Sequence, residues 1–218
     1  MSRNHSKTSL VLTLAGATVA GLAVALVWNL RDASRIPVER LLSPQTATMV
    51  KAANQFGSQP PNLQKTILTT LRDILHNNEN AERRFRAALA LHQLEPDKVE
   101  QEFLKALKDP APKVRASVAT SLGSYGYRPA APEIIKLLDD PEAVVRRSAS
   151  FALGELKYDE AVARLAALFQ DAEWNVRRSA VQALSKIGTE KSEKVLSTMP
   201  KELTEDSIIQ EWLRAQKE

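Results

Sequence analysis

Residues 144–157 read "VVRRSASFALGELK", and the same phrase stands 31 residues upstream as "KVRASVATSLGSYG" (113–126) and 31 residues downstream as "NVRRSAVQALSKIG" (175–188). A fourth, weaker copy is anchored by Arg84. Arg84, Arg115, Arg146 and Arg177 form one column at this interval, and Leu91, Leu122, Leu153 and Leu184 form another. Leu94, Tyr125, Leu156 and Ile187 make a third, and Ala87, Val118, Ala149 and Ala180 a fourth. A turn column, Asn78, Asp109, Asp140 and Asp171, precedes each Arg and is followed twice by proline, Pro110 and Pro141.

Each copy reads as two helices. In the third, "PEIIKLL" (132–138) carries apolar residues at helical spacing and "DDP" breaks it. The run 142–156 then places Val145, Ala149, Ala152, Leu153 and Leu156 on one stripe of a 3.6-residue helix. A hairpin this short cannot bury its own stripe, whereas stacked neighbours can. A period of this length therefore predicts an all-α solenoid of about four hairpins.

The phrases "VRRSASFALGEL" and "VRRSAVQALSKIG", each preceded by Asp and a turn, resemble HEAT repeats, in particular the short HEAT-like type named after phycobilin lyases. The resemblance spans about residues 62–198 and implies a right-handed α-solenoid. It also implies a structural ladder between the Asp of each turn and the Arg six residues on. Asp109 and Arg115, Asp140 and Arg146, and Asp171 and Arg177 match that pattern, while Asn78 departs from it opposite Arg84. In HEAT solenoids the second helices line the concave surface. Counting about 100° per residue from Val145 places Arg147, Phe151 and Gly154 opposite the buried stripe. The corresponding columns are Phe85/Ala116/Arg147/Arg178, Leu89/Thr120/Phe151/Gln182 and His92/Gly123/Gly154/Ser185. Arg147, Phe151, Arg178, Gln182 and Thr120 are thus the expected partner-binding residues, since aromatic and Arg side chains are the usual anchors of protein interfaces. The expected partner is a protein, as a helical or extended acidic segment.

Outside the repeats the chain changes character. Residues 10–30, "LVLTLAGATVAGLAVALVWNL", hold no charge, and at about 1.5 Å per residue they match a bilayer core of roughly 30 Å. After the basic N-terminus (1–9), this predicts a single transmembrane anchor. The rival is a cleaved signal peptide with Ala23-Val24-Ala25 as its small-residue site. Arg3 and Lys7 before the span nearly balance Arg31, Arg35 and Arg40 after it, so orientation is not fixed by charge. A short basic N-terminus leans toward a non-cytoplasmic, periplasmic repeat domain. Residues 31–61 read as a linker with a short helix inside 43–57, Ser43 as its N-cap and Pro44 at its first position. Residues 199–218 read as a helix from about Thr204 that caps the stack, with Ile208, Ile209, Trp212 and Leu213 on one face. Residues 62–218 are then expected to fold without what precedes them.

Composition narrows the function. The chain of 218 residues has no cysteine and 3 histidines, which excludes disulfides, thiolate nucleophiles and Cys-bearing zinc sites. No phosphate loop or nucleophile elbow is present. His5, His76 and His92 are followed by Ser, Asn and Gln, so the His-Glu pairs of di-iron HEAT hydroxylases are missing; no metal or cofactor is expected. The net charge of +4 lies wholly in residues 1–60, where six cations face two carboxylates. The repeat region is balanced, which argues against nucleic acid as the ligand. The sequence supports a membrane-tethered, non-catalytic scaffold, with a bilin lyase-like or phycobilisome-handling factor as the alternative and a nucleic-acid-binding module behind it.

Overall fold

The computed structural model describes residues 38–94 and 100–210. They are helical, with no strand among the described residues. They belong to two compact units that divide between Ile67 and Leu68.

The larger unit is the stack of hairpins that the columns predict. The helix α2 (Pro61–Asn77), within which the division falls, leads into α3 (Ala81–Leu94). The second hairpin is α4 (Glu100–Ala106) and α5 (Pro112–Ser124), the third α6 (Ala131–Ile134) and α7 (Ala143–Glu155), the fourth α8 (Val162–Ala167) and α9 (Trp174–Ile187). The short α6 and α8 are extended at both ends by 3-10 turns. The second helices pack on one another in sequence, α3 on α5, α5 on α7 and α7 on α9. Leu91, Leu122, Leu153 and Leu184 are 0% exposed, as are Ala87, Val118, Ala149 and Ala180. Two periodic columns therefore supply the spine of the core.

Packing between second helices is tightest where Gly123 meets Ala152 and Gly154 meets Ala183. A Cβ on Gly123 would lie 2.5 Å from the Ala152 Cα, and one on Gly154 would lie 2.8 Å from the Ala183 Cα. These glycines are buried in helix contacts, which corrects the reading of Gly123 and Gly154 as open face, although His92 of the same column does line a depression on that side. The turns that close the second helices also repeat. Gly126, Lys157 and Gly188, 31 residues apart, all take positive φ, at 68°, 46° and 64°.

The ladder exists in a different register. Each Arg reaches back with Nη1 to the carbonyl of its own turn, Arg115 to Asp109 at 2.8 Å and Arg146 to Asp140 at 2.9 Å. In Arg84, Arg115 and Arg146, Nε and Nη2 donate instead to the carboxylate of the next turn. Arg84 grips Asp109 with both bonds at 2.8 Å, Arg115 grips Asp140 with both at 2.8 Å, and Arg146 grips Asp171 at 2.7 and 2.9 Å. The expected pairing of Asp109 with Arg115, Asp140 with Arg146 and Asp171 with Arg177 is thus corrected. Oδ1 of each Asp accepts the backbone N–H two residues on, at Ala111, Glu142 and Glu173, which turns the carboxylate toward the preceding repeat. The ladder is an inter-repeat clamp. Asn78 needs no charge because the position 31 residues before Arg84 is Ala53, not an Arg.

At the C-terminal end the stack closes less regularly than the sequence suggests. Thr189 caps α10 (Glu190–Ser197) in a reciprocal box with Ser192. The turn α11 (Lys201–Thr204) follows, and helix resumes at residue 207. Thr204 therefore ends one helix rather than starting the cap; Asp206 starts the next, its carboxylate accepting Ile209 N–H at 2.7 Å. Leu203 and Ile209 are buried, whereas Ile208 is exposed. Trp212 and Leu213 lie outside the described residues.

In the smaller unit α1 (Thr46–Asn54) begins two residues later than expected. Ser43 Oγ accepts Gln45 N–H at 3.2 Å and so forms the turn before the helix instead of its cap. Val38, Leu41 and Leu42 are buried, so the segment read as a linker contributes apolar side chains to a packed interior. The span 10–30 lies outside the described residues, among which no helix is long and apolar enough to cross a membrane.

Candidate partner-binding groove

The second helices present their unburied faces on one side of the larger unit, and two adjoining depressions run across them. The first, about 410 Å³, is walled by Phe85 and Leu89 of α3 and by Val144 and Arg147 of α7. Its floor is α5, where Ala116, Ser117 and Thr120 are too small to fill the space. The second, about 370 Å³, is lined by Thr120, Arg147, Phe151, Asn175, Arg178 and Gln182. All five residues expected to bind a partner, Thr120, Arg147, Phe151, Arg178 and Gln182, therefore meet in one depression. Thr120 and Arg147 join it to its neighbour.

The helical register explains the convergence. Equivalent positions of successive second helices lie side by side, and Ser179 Oγ donates to the Arg147 carbonyl at 3.1 Å to lock α9 onto α7. The Arg column thus projects Arg147 and Arg178 from adjacent helices. Phe151 is 41% exposed and Val144 39%, a large apolar exposure for positions this central to a domain. Val144 and Asn175 were not singled out from the sequence. They belong to a column with Glu82 and Lys113, one helical turn before the Phe85 column, and that period is the signal that finds them.

The charge of these two depressions is one-sided. No carboxylate lines either depression. Lys113 at the rim faces Glu82 at 3.7 Å, but Arg147 and Arg178 have no acidic partner among the described residues. Arg178 Nε is buried and lacks a hydrogen-bond acceptor there, as His92 Nδ1 and Ser117 Oγ lack partners in the first depression. Burial holds the His92 imidazole below its ordinary pKa, and its ring lies tilted against that of Tyr125 with centroids 4.4 Å apart. His92 is thus a packed side chain whose surroundings favour the neutral form. Among the described residues no cluster of His, Asp and Glu could hold a metal ion.

A family model described as HEAT repeats matches residues 68–149 and 131–213. No curated protein matches the chain. Among solved structures, the fold is similar to a designed armadillo repeat protein in complex with the peptide (KR)4, at 20% identity and TM-score 0.54, over 83% of this chain and 96% of that one. It is also similar to the complex of CpcE and CpcF of phycocyanin lyase from Nostoc, at 22% identity and TM-score 0.54, over 69% of this chain and 98% of that one. An engineered protein matches at 19% identity and TM-score 0.57, over 84% of this chain and 96% of that one.

Proposed function

This chain is a HEAT-repeat protein, and on that premise we propose that it is a non-catalytic scaffold whose groove binds a segment of a protein partner. One observation carries the reading. Arg147 and Arg178 stand beside exposed Phe151 with no compensating carboxylate, whereas Arg84, Arg115 and Arg146 are all clamped in the ladder. Unpaired Arg next to exposed aromatic surface is the composition of an interface anchor. The likeness to a designed repeat protein holding a peptide supports the use of such a fold for peptides, and the charge differs in an informative way. That peptide is basic; the groove here is cationic and suits an acidic segment.

A tether in residues 10–30 is part of the same proposal and rests on an uncharged stretch of bilayer length. It would hold the groove at a membrane surface and raise the local concentration of partners there. Resistance of the membrane-bound chain to alkaline extraction, with release by detergent, tests the tether, and protection from added protease tests the side.

The groove is tested by replacing Arg147, Phe151 and Arg178 together by Ala, Thr and Ala, which keeps the ladder and the leucine spine. Cross-linked partners captured from native membranes should be lost from the variant at equal folded amounts. Unchanged capture would move the binding surface elsewhere.

A further inference from the structure

The two depressions differ in character along one line of equivalent positions, Phe85, Ala116, Arg147 and Arg178. Each step passes from one second helix to the next. The first gives an apolar wall, the second a hollow, the third and fourth uncompensated guanidinium groups. Packed helices stand about 8–10 Å apart. A segment crossing them is therefore offered an apolar bowl, then a cation, then a second cation, at that pitch.

The polar groups along the groove choose the conformation of the segment. Asn175 and Gln182 side chains and Ser117 Oγ make no protein hydrogen bond among the described residues. An α-helical ligand has spent its central N–H and C=O groups internally and could not use them. A polyproline II segment keeps its backbone open, turns every three residues and rises about 9 Å per turn. Residues i, i+3 and i+6 of such a segment face one side at the spacing of the second helices.

Resting on the groove reading above, we infer that the groove recognises an extended acidic segment of a protein with one apolar residue and carboxylates three and six positions away from it. The apolar side chain fills the bowl over Ala116, between Phe85 and Val144. The two carboxylates pair with Arg147 and Arg178, both of which line the second depression without an acidic neighbour in it. Nucleic acid fits less well, because two cations beside an apolar bowl supply few phosphate contacts.

The test uses the full chain in detergent micelles and fluorescein-labelled synthetic peptides containing Leu-Pro-Ala-Glu-Pro-Ala-Glu, or its reverse. Controls are a peptide of equal composition with one Glu moved next to Leu, an alternating Lys-Arg peptide, and a single-stranded oligonucleotide of matched length. The spaced peptide, in one of its two directions, should bind at least about tenfold tighter than the displaced one and weaken as salt rises. Arg178→Ala should cost about tenfold against the spaced peptide and nothing further against a peptide whose last Glu is Gln. Equal binding at both spacings would overturn the register, and so would an Arg178→Ala loss that ignores the last Glu. Tighter binding of the basic peptide or the oligonucleotide would overturn the ligand class. If every acidic peptide fails while the triple variant still loses its captured partners, the inference falls and the groove stands; if both fail, the groove falls too.

Discussion

Arg146 and Arg177 occupy the same place in successive repeats, yet only one of them holds a carboxylate. Both donate Nη1 to the carbonyl of their own turn, at 2.9 and 2.5 Å. Arg146 also grips Asp171, the two side chains being 15% and 7% exposed. The next turn position after Asp171 is Glu202, and Arg177 makes no ion pair among the described residues; its guanidinium lies 4.7 Å over the Trp174 ring. Arg146→Ala strands a nearly buried carboxylate and should cost about 2–4 kcal/mol, between the values for surface and buried pairs. Arg177→Ala should cost roughly 1 kcal/mol or less. Urea melts decide, and equal losses would mean that the backbone bonds, not the carboxylate, make the clamp. The Arg146 loss then rivals that of Leu153→Ala, about 2–5 kcal/mol for a fully buried leucine. The same pair sets a pH dependence. The Arg146 hydrogen bonds hold the Asp171 carboxyl below its ordinary 3.8. A carboxylate with a depressed folded pKa adds stability that is complete above the unfolded value and decays as pH falls through the folded one. The lead of wild type over Asp171→Asn should therefore be constant from neutrality to about pH 5 and shrink below pH 3.8. A lead that stays constant into acid would contradict the clamp.

At the scale of the helix, two kinds of repeated position behave against ordinary propensity. Ala is preferred to Gly inside a helix by about 1 kcal/mol. Gly123→Ala and Gly154→Ala should nevertheless destabilise, by about 1–3 kcal/mol, because the new methyl meets the backbone of the next second helix at 2.5 and 2.8 Å. The larger loss belongs to Gly123, and thermal melts showing stabilisation would disprove the close approach. Lys157 is the converse case. It holds φ 46° where its two equivalents are glycine, and the left-handed region costs a side-chain-bearing residue roughly 1–2 kcal/mol. Lys157→Gly should raise stability by up to about 1 kcal/mol after the entropy of the freer unfolded chain is subtracted. The sequence made the helices and the leucine spine legible because apolar periodicity is itself the burial pattern. It could not separate a glycine that lines a groove from one crushed against a neighbour, since both lie off the apolar stripe. Nor could it set the ladder register: an Arg reaches the Asp six residues back and the Asp 25 residues ahead equally well on paper. Only the backbone N–H groups of Ala111, Glu142 and Glu173, donating to Oδ1 of the Asp two residues before, turn the carboxylates toward the repeat before.

Across the whole molecule, legibility follows repetition. Thr120, Arg147, Phe151, Arg178 and Gln182 were identifiable as one face because four copies fix which direction is inward; Val144 and Asn175 followed the same period one turn away. Residues 38–61 are not repeated, and their sparse apolar residues, among Pro37, Pro44 and Gly57, gave no period to read. Leu41 and Ile67 are nonetheless each 1% exposed and border the same small pocket. A chain starting at residue 62 would keep Ile67 on α2 and discard Leu41, Leu42 and Val38. Burying such side chains is worth roughly 1.5–3 kcal/mol each. A fragment that begins at residue 38 should therefore behave better than one that begins at residue 62. Fragments 38–218 and 62–218 can be compared by size-exclusion chromatography and by helicity at 222 nm. The longer one should run as a single species with a cooperative melt. The shorter should self-associate and lose helicity in excess of the 24 residues removed, because the first turns of α2 would show an apolar face to water. Equal solubility and equal helicity per residue would show that the repeats need nothing from residues 38–61.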